Sequence, residues 1–198
     1  MVALGKYCPC NVSGPSAVVG ICDRRSGPNS IRAGGLPLGD RKHGEDGARS
    51  RRRSQERCRA NAVVKRVGEV TPDDLLSSDG VIIGSPVYFG NMSGEVKTFL
   101  DSWGKMGLFQ DRKMRNKVGG TFATGGSFSN GKELTMLSIQ AAMVMHQMLV
   151  TSGGGGFGAS ATTGPDSPGI DEKELAGANA LGKRIAEVAT LVKRGSGK

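Results

Sequence analysis

Residues 79–100, DGVIIGSPVYFGNMSGEVKTFL, constrain the fold more than any other part of the chain. A short apolar strand, Val81–Ile83, ends in a Gly-Ser-Pro turn, and an aromatic and glycine loop (YFGN) precedes a helix. In open α/β sheets, ligands bind at the carboxyl ends of the strands, where such loops lie. The run therefore predicts an α/β fold with a ligand loop at this strand's carboxyl end.

The chain from residue 61 onward alternates strand and helix signals. We expect strands near residues 63–67, 80–84, 117–123, 148–151 and 157–163. The helices start at Thr71, after the loop at 88–91, at a capping box of Asn130 with Glu133, and at a second box of Asp171 with Glu174. The last three of these helices have an expected apolar face. It is Val96, Phe99, Leu100 and Trp103 in the helix after the loop; Leu134, Leu137, Ala141 and Met145 in the helix after Asn130; and Leu175, Ala178, Ile185, Val188 and Leu191 in the helix after Asp171. This alternation predicts a parallel sheet covered by helices on both sides.

Residues 1–60 differ in character from the rest. They mix Gly, Pro, Ser and Arg without a sustained period, and only Ala17–Cys22 resembles a buried strand. They hold 12 Lys/Arg against 5 Asp/Glu, so most of the net charge of +9 lies there. We predict an irregular basic segment over 1–60 and one domain over 61–198. A basic segment could contact phosphate backbones, but no aromatic interleaving accompanies it, which favours a solvated segment.

The four cysteines also lie in the first third, at Cys8, Cys10, Cys22 and Cys58. Their spacing fits no paired zinc pattern, even with His43 nearby, so neither a metal site nor a disulfide framework is predicted.

No apolar run is long enough to span a membrane, and the first residues lack a secretory pattern. A cytoplasmic location is expected, and a transit peptide is the weaker alternative.

Two longer motifs carry a family resemblance. GSPVYFGNMSGEVKTFLD (84–101) and TFATGGSFSNGKELTMLSIQ (121–140) are followed by His146 and by FGASATTG before a DEKEL helix. Over residues 61–194 the chain resembles the flavodoxin-like fold, and more closely the tryptophan-repressor-binding-protein type of NAD(P)H:quinone oxidoreductase. The resemblance implies a doubly wound parallel five-stranded sheet of order 2-1-3-4-5. It also implies FMN as cofactor, NAD(P)H as co-substrate, a quinone as acceptor, and a homodimer or homotetramer.

The resemblance also implies which residues hold the flavin. The first loop would supply Ser85, Pro86, Val87, Tyr88, Phe89, Gly90 and Asn91. The second would supply Thr124, Gly125, Gly126, Ser127 and Gly131. His146 matches a family histidine near the flavin, although His-His-Gly in the family is Met-His-Gln here. No catalytic acid–base group and no metal ligand is implied.

Other interpretations of these residues stay open at the sequence level. Tyr88 and Phe89 could belong to the core, and the Gly-Ser-Pro turn could simply end a strand. His146 could be a helix-end histidine, because cations suit that terminus. The Met-rich stretch 136–148 favours adaptable core packing over a cofactor contact.

The phosphate loop of such folds has no good copy in this chain. Ser26–Ser30 is a superficial candidate, but Pro28 removes one amide donor. Reading permitted codons of Gly35–Arg49 one base later allows DSRSGTGNTEKMAR, which contains the family's phosphate loop. We therefore hypothesise a frameshift that is restored near residue 60, and weak FMN binding by the chain as written. The DNA sequence across codons 25–65 tests this.

Three functions remain open from the sequence. The leading one is an FMN-dependent NAD(P)H:quinone oxidoreductase. The second is a flavodoxin-like electron carrier without substrate turnover, although such carriers are typically acidic. The third is a non-catalytic remnant whose basic segment binds nucleic acid nonspecifically.

Overall fold

The structure, a computed structural model, describes residues 18–23, 61–153, 156–164 and 170–196. Its strands are β1 (Val18–Asp23), β2 (Asn61–Arg66), β3 (Gly80–Tyr88), β4 (Asn91–Met92), β5 (Val118–Gly125), β6 (Leu149–Val150) and β7 (Ala159–Thr162). Its helices are α1 (Pro72–Ser77), α2 (Gly94–Lys105), α3 (Lys132–Met145) and α4 (Glu172–Gly195), with a 3-10 turn at Val67–Glu69. Each strand and helix expected from the sequence is present in these residues, within a few residues of its expected bounds.

These strands form one sheet in the order β2-β1-β3-β5-β6. The short β4 folds back on β3, and β7 also pairs with β5. β6 pairs with the start of β5 and β7 pairs with its end, both in parallel, so together they occupy one interrupted fifth position. With β5 counted as the fourth strand, the expected order 2-1-3-4-5 is confirmed, and the fold is flavodoxin-like.

The expectation of a wholly parallel sheet is wrong at β1. This strand runs antiparallel to both of its neighbours, β2 and β3. A parallel β1 would need a crossover connection to β2, usually a helix, whereas antiparallel neighbours can be joined at one end of the sheet. The sequence of residues 24–60 carries no amphipathic helical pattern, which favours the antiparallel pairing of β1 over a helical crossover.

Two apolar clusters lie on opposite faces of the sheet. The larger packs α2 and α3 against β3, and its fully buried members include Trp103, Ile139 and Met143. The smaller packs α4, through Leu181 and Ile185, against Ile82 and Val118. The helical face predicted for α2 is confirmed, because Val96, Phe99, Leu100 and Trp103 are all buried. The molecule is therefore layered as helix, sheet, helix, with the strand ends free to form a site.

The helix starts were predicted with mixed success. Thr71 accepts from the Asp74 N–H and Asp171 accepts from the Glu174 N–H, which confirms both caps. The prediction that Asn130 caps α3 is wrong: Gly131 is the N-cap of α3, in the left-handed region at φ 94°, with no side-chain cap.

In the described residues, no helix is long and apolar enough to cross a membrane.

Helix α3 carries a second apolar face that the core does not cover. Its buried face is Thr135, Met136, Ile139 and Met143. The face expected from the sequence is instead exposed, at Leu134 (54%), Leu137 (40%) and Met145 (67%), and the neighbouring Val144 is 59% exposed. Helix α3 therefore has apolar side chains both on the face that packs in the core and on a second face that is exposed.

Candidate functional site

Strands β3, β5 and β7 run parallel and end at the same edge of the sheet. Pro86 of β3 is level with Thr124 of β5, and Gly125 of β5 is level with Thr162 of β7. The segments that leave these three strands are the two loops predicted from the sequence and the turn after β7. The two loops, Ser85–Asn91 and Thr124–Gly131, are therefore neighbours at the carboxyl edge.

The first loop is a tight hairpin between β3 and β4. Val87 pairs with Met92 and Tyr88 with Asn91, which leaves Phe89 and Gly90 as the two turn residues. Both have positive φ, 50° and 85°, as a type I′ hairpin turn requires. Asn and Gly favour such positions, and an aromatic residue there is strained. Tyr88 is 50% exposed and Phe89 is wholly exposed, so the core interpretation of these rings is wrong.

Ser85 and its neighbours shape the base of this loop. The Ser85 hydroxyl donates to the Pro86 carbonyl at 2.8 Å and accepts from the Ser93 N–H at 2.9 Å. Ser85 is buried and Ser93 is the N-cap of α2. The hydroxyl is thus engaged inside the fold, where it ties the strand end to the following helix.

The second loop, Thr124–Gly131, is held together by Asn130. With its amide oriented to satisfy both neighbours, Asn130 accepts from the Gly126 N–H at 3.0 Å and donates to the Ser127 carbonyl at 3.2 Å. These bonds occupy the side chain that the sequence suggested as a helix cap. Gly126 and Ser127 are exposed at the loop surface, whereas Gly125 is buried.

The loops touch one another through glycines. A Cβ on Gly131 would lie 2.5 Å from the Gly90 carbonyl oxygen, so the two predicted loops are in backbone contact. A Cβ on Gly164 would lie 2.1 Å from the Gly126 oxygen, and the Thr163 N–H donates to the Gly125 carbonyl at 2.8 Å. Three segments, Ser85–Asn91, Thr124–Gly131 and residues 163–164, therefore meet at this edge through glycines where a side chain would clash, and we call this surface the cradle.

Two residues of this region were missed by sequence reasoning. Phe128 projects from the second loop and is 87% exposed, with the Lys132 Nζ 5.9 Å from its ring centroid. Lys132 itself is buried, and its Nζ donates to the Thr162 hydroxyl at 2.8 Å. A lysine in the first turn of a helix gives no sequence signal of burial, because that burial depends on a strand 30 residues later.

His146 lies away from the two loops. It is the C-cap of α3, and that helix of 14 residues is about 21 Å long, so His146 and Gly131 are at opposite ends. Its ring contacts Trp103 at 4.9 Å and Phe109 at 5.6 Å between centroids. Burial lowers the pKa of His146 below its usual value, because a desolvated imidazole favours its neutral form.

His146 shares a cavity of about 520 Å³ with Asn91 of the first loop. Met145, Lys97 and Asp101 also line this cavity, which runs between α2 and α3. Trp103, next to His146, keeps its indole Nε1 buried without a hydrogen-bond partner among the described residues. Among the described residues, His146 and the first loop are thus related through this cavity, which Asn91 also lines.

The candidate phosphate loop is not brought to this edge by β1. Cys22 pairs with Gly80 and Asp23 with Asn61, so β1 ends at the amino end of β3. Ser26–Ser30 lies outside the described residues, but it follows a strand that ends opposite the cradle. Cys8, Cys10, Cys58 and His43 also lie outside the described residues. Within the described part, no cluster of His, Cys, Asp or Glu could hold a metal ion.

The ring part of a flavin fits the cradle better than its phosphate does. The strained, exposed Phe89 together with Tyr88 and Phe128 offers flat apolar surface. Glycine walls allow backbone N–H groups to approach a ligand closely. No equivalent arrangement for a phosphate dianion exists among the described residues at this edge.

Comparison with known proteins shows which family the chain resembles. A family described as NADPH-dependent FMN reductase matches residues 54–162. An NAD(P)H dehydrogenase (quinone) from Geotalea daltonii is 35% identical over 135 residues, which cover 60% of this chain and 65% of that protein. An iron-sulfur flavoprotein from Methanocaldococcus jannaschii is 38% identical over 129 residues, covering 61% of this chain and 63% of that protein.

A solved structure is also similar. The flavodoxin, WrbA-like protein from Agrobacterium tumefaciens superposes with a TM-score of 0.53 at 27% identity, covering 60% of this chain and 70% of that one. The chain thus spans slightly less than two thirds of the length of the two curated relatives described above.

Proposed function

Because the chain belongs to the NADPH-dependent FMN reductase family, we propose that it is an FMN-dependent oxidoreductase. It passes two electrons from NAD(P)H through the flavin to a quinone. The observation that carries this proposal is the glycine-to-glycine contact of Gly131 with Gly90, which joins the two loops into one cradle. When bound, the flavin supplies the hydride and electron chemistry, and the protein supplies binding, orientation and electrostatics.

The residues of the cradle have separate tasks in this proposal. Tyr88 and Phe89 present aromatic faces to the ring, since flat aromatic groups prefer offset stacking or edge contact. Ser127 and Gly131 bring backbone N–H groups close to the ring's polar edge. Gly126, whose N–H bonds to Asn130, leaves room for the ring to approach because it carries no side chain. The uncapped start of α3 adds the positive end of a helix, which favours negative charge on the ligand. Pro86 and Val87 hold the strand end that fixes this geometry.

The assembly proposed for the chain is a homodimer or homotetramer. The exposed apolar face of α3, at Leu134, Leu137, Val144 and Met145, supports it. His146 stands at the end of this face, far from Gly131 on the same helix. In an oligomer His146 would approach the flavin of a neighbouring subunit. The cytoplasmic location stays an expectation from the sequence.

The first test is flavin binding by the purified full chain, with its mass confirmed. We expect quenching of added flavin fluorescence, and riboflavin affinity within about threefold of FMN affinity, because a phosphate held by several charge-assisted bonds would otherwise separate the two ligands strongly. Flavin binding should be followed by oxidation of NADH or NADPH that depends on added benzoquinone.

The matched variants are Gly131→Ala and Gly177→Ala. The first places a methyl group against the Gly90 oxygen at positive φ, whereas the second meets nothing within 4 Å. Flavin affinity should fall for Gly131→Ala and stay unchanged for Gly177→Ala. Flavin binding without NAD(P)H oxidation would identify an electron carrier, and salt-sensitive nucleic-acid binding without flavin would contradict the proposal.

A further inference from the structure

Lys132 is a buried lysine with no ionic partner among the described residues. Its relative exposure is 4%, and its Nζ makes one hydrogen bond, to the Thr162 hydroxyl at 2.8 Å. In the described part of the chain no carboxylate lies within ion-pair distance of it. An ammonium has three donors, and burying it costs free energy unless it is paired. Among the described side chains, none forms an ion pair with this cation, and the Glu174 carboxylate accepts instead from the Thr162 N–H at 2.8 Å and from the Asp171 N–H at 3.2 Å.

The ammonium lies at the base of the cradle. Thr162 is level with Gly125, where the second loop begins, and the Phe128 ring on that loop lies 5.9 Å from the Nζ. Lys132 is also the first residue of α3, whose uncapped amino end is positive in the same region. Two sources of positive potential thus face one site.

The burial of Lys132 favours a flat, weakly hydrated anion over a phosphate. A phosphate dianion needs several donors around it, and within the described part of the chain Lys132 offers two N–H groups beyond its bond to Thr162. Its ring neighbour, Phe128, offers no hydrogen bonds. A delocalised charge on an aromatic ring suits this combination.

We propose that Lys132 stabilises the negative charge that the bound flavin gains on reduction. The inference rests on the function proposed above. A hydride from NAD(P)H brings two electrons and one proton, so its acceptor gains one negative charge while NAD(P)+ is released. The Lys132 ammonium lowers the free energy of the charged, reduced form more than that of the neutral, oxidised form. Lys132 is thus a residue that sets the reduction potential.

The test compares Lys132→Met and Lys132→Arg with the exposed control Lys173→Met. Lys173 lies in the first turn of α4, and its substitution removes the same charge from the surface. Dissociation constants are measured anaerobically for oxidised and for dithionite-reduced FMN, together with the midpoint potential of the bound flavin.

For Lys132→Met we expect the ratio of reduced to oxidised dissociation constants to rise at least about tenfold, since a Coulomb attraction over a few ångströms is stronger in a partly dehydrated site than in water. A tenfold change corresponds to a midpoint about 30 mV more negative for a two-electron couple. Lys132→Arg keeps the positive charge, so its ratio of dissociation constants should stay close to that of the wild type. Lys173→Met should change this ratio less than about twofold, because exposed charges are screened.

Thermal unfolding of the flavin-free variants separates this role from a structural one. Removing an unpaired buried charge should leave the unfolding temperature of Lys132→Met unchanged or raise it. An unchanged ratio of dissociation constants, with or without a lower unfolding temperature, would overturn the inference while leaving the proposed function intact. Failure of the wild-type chain to bind either flavin form would overturn both.

Discussion

Phe89 shows how a single residue can indicate a site. Its φ of 50° lies in the left-handed region, and its side chain is wholly exposed. A bulky residue in this conformation costs roughly 1–2 kcal/mol, and the full exposure of Phe89 in the described part of the chain leaves no packing to offset that cost. Strain of this kind persists where the side chain serves a ligand. The sequence predicted the loop, but only the backbone angles reveal the strain.

We expect Phe89→Asn to separate stability from binding. Asn suits the first position of a type I′ turn, so the free energy of unfolding should rise by about 1 kcal/mol. Flavin affinity should fall, because the ring loses an aromatic face. Denaturant unfolding and flavin titration measure the two effects.

The control for this variant is Phe109→Asn, which replaces another exposed phenylalanine, one that packs beside His146. It should leave flavin affinity unchanged and should not stabilise the chain. If Phe89→Asn lowered stability while leaving affinity intact, Phe89 would be a packing residue after all.

At the scale of elements, local signals predicted helix starts well only where no loop competed for the same side chain. Thr71 and Asp171 face the first turns of their own helices and cap them. Asn130 had the right spacing to Glu133, yet its amide closes the loop that precedes α3. Sequence spacing cannot rank a cap against a loop contact, because both use the same short polar side chain.

Periodicity likewise identified apolar faces but not what covers them. The face of α2 is buried as expected, whereas the face predicted for α3 is exposed and the neighbouring Met136, Ile139 and Met143 enter the core. Helix α3 is apolar on both stripes, so the 3.6-residue period alone could not choose between them. The division of the chain at residue 60 stays a prediction, although β1 belongs to the same sheet as the later strands.

The contact between strands β3 and β5 depends on Gly84. A Cβ there would lie 1.8 Å from Cζ of Phe122, so the Phe122 ring occupies the space above the glycine. We expect Gly84→Ala to destabilise the chain by about 1–3 kcal/mol through overpacking. Thermal or urea unfolding measures this loss.

The partner experiment for this contact uses the double variant Gly84→Ala with Phe122→Ala. The second change removes the clashing ring, so the double variant should be less destabilised than the sum of the two single variants. Additive losses would show that Phe122 does not occupy this space in solution.

At the scale of the whole molecule, the exposed face of α3 predicts self-association. Leu137→Glu together with Met145→Glu places charges on this face without touching the core, since both side chains are exposed. We expect the wild-type chain to sediment as a dimer or tetramer and the double variant as a monomer, because a charge buried in an interface is costly. Analytical ultracentrifugation over a range of concentrations is the measurement.

Leu191→Glu serves as the control, because Leu191 is 61% exposed on α4, on the opposite side of the sheet. It should leave the assembly unchanged. A wild-type chain that is monomeric at every concentration would rule out the interface and the trans role of His146 together.

The direction of β1 also bears on the order in which the chain assembles. β1 lies between β2 and β3 and pairs with both, and its partners are about 40 to 66 positions further along the sequence. Contacts of such long sequence separation form late in folding, whereas β3, α2 and β5 follow one another directly. Among the described strands β2 pairs with β1 alone, so we expect it to join the sheet after β1. Amide protons of β2 should therefore acquire protection from exchange with solvent later than those of β3 and β5.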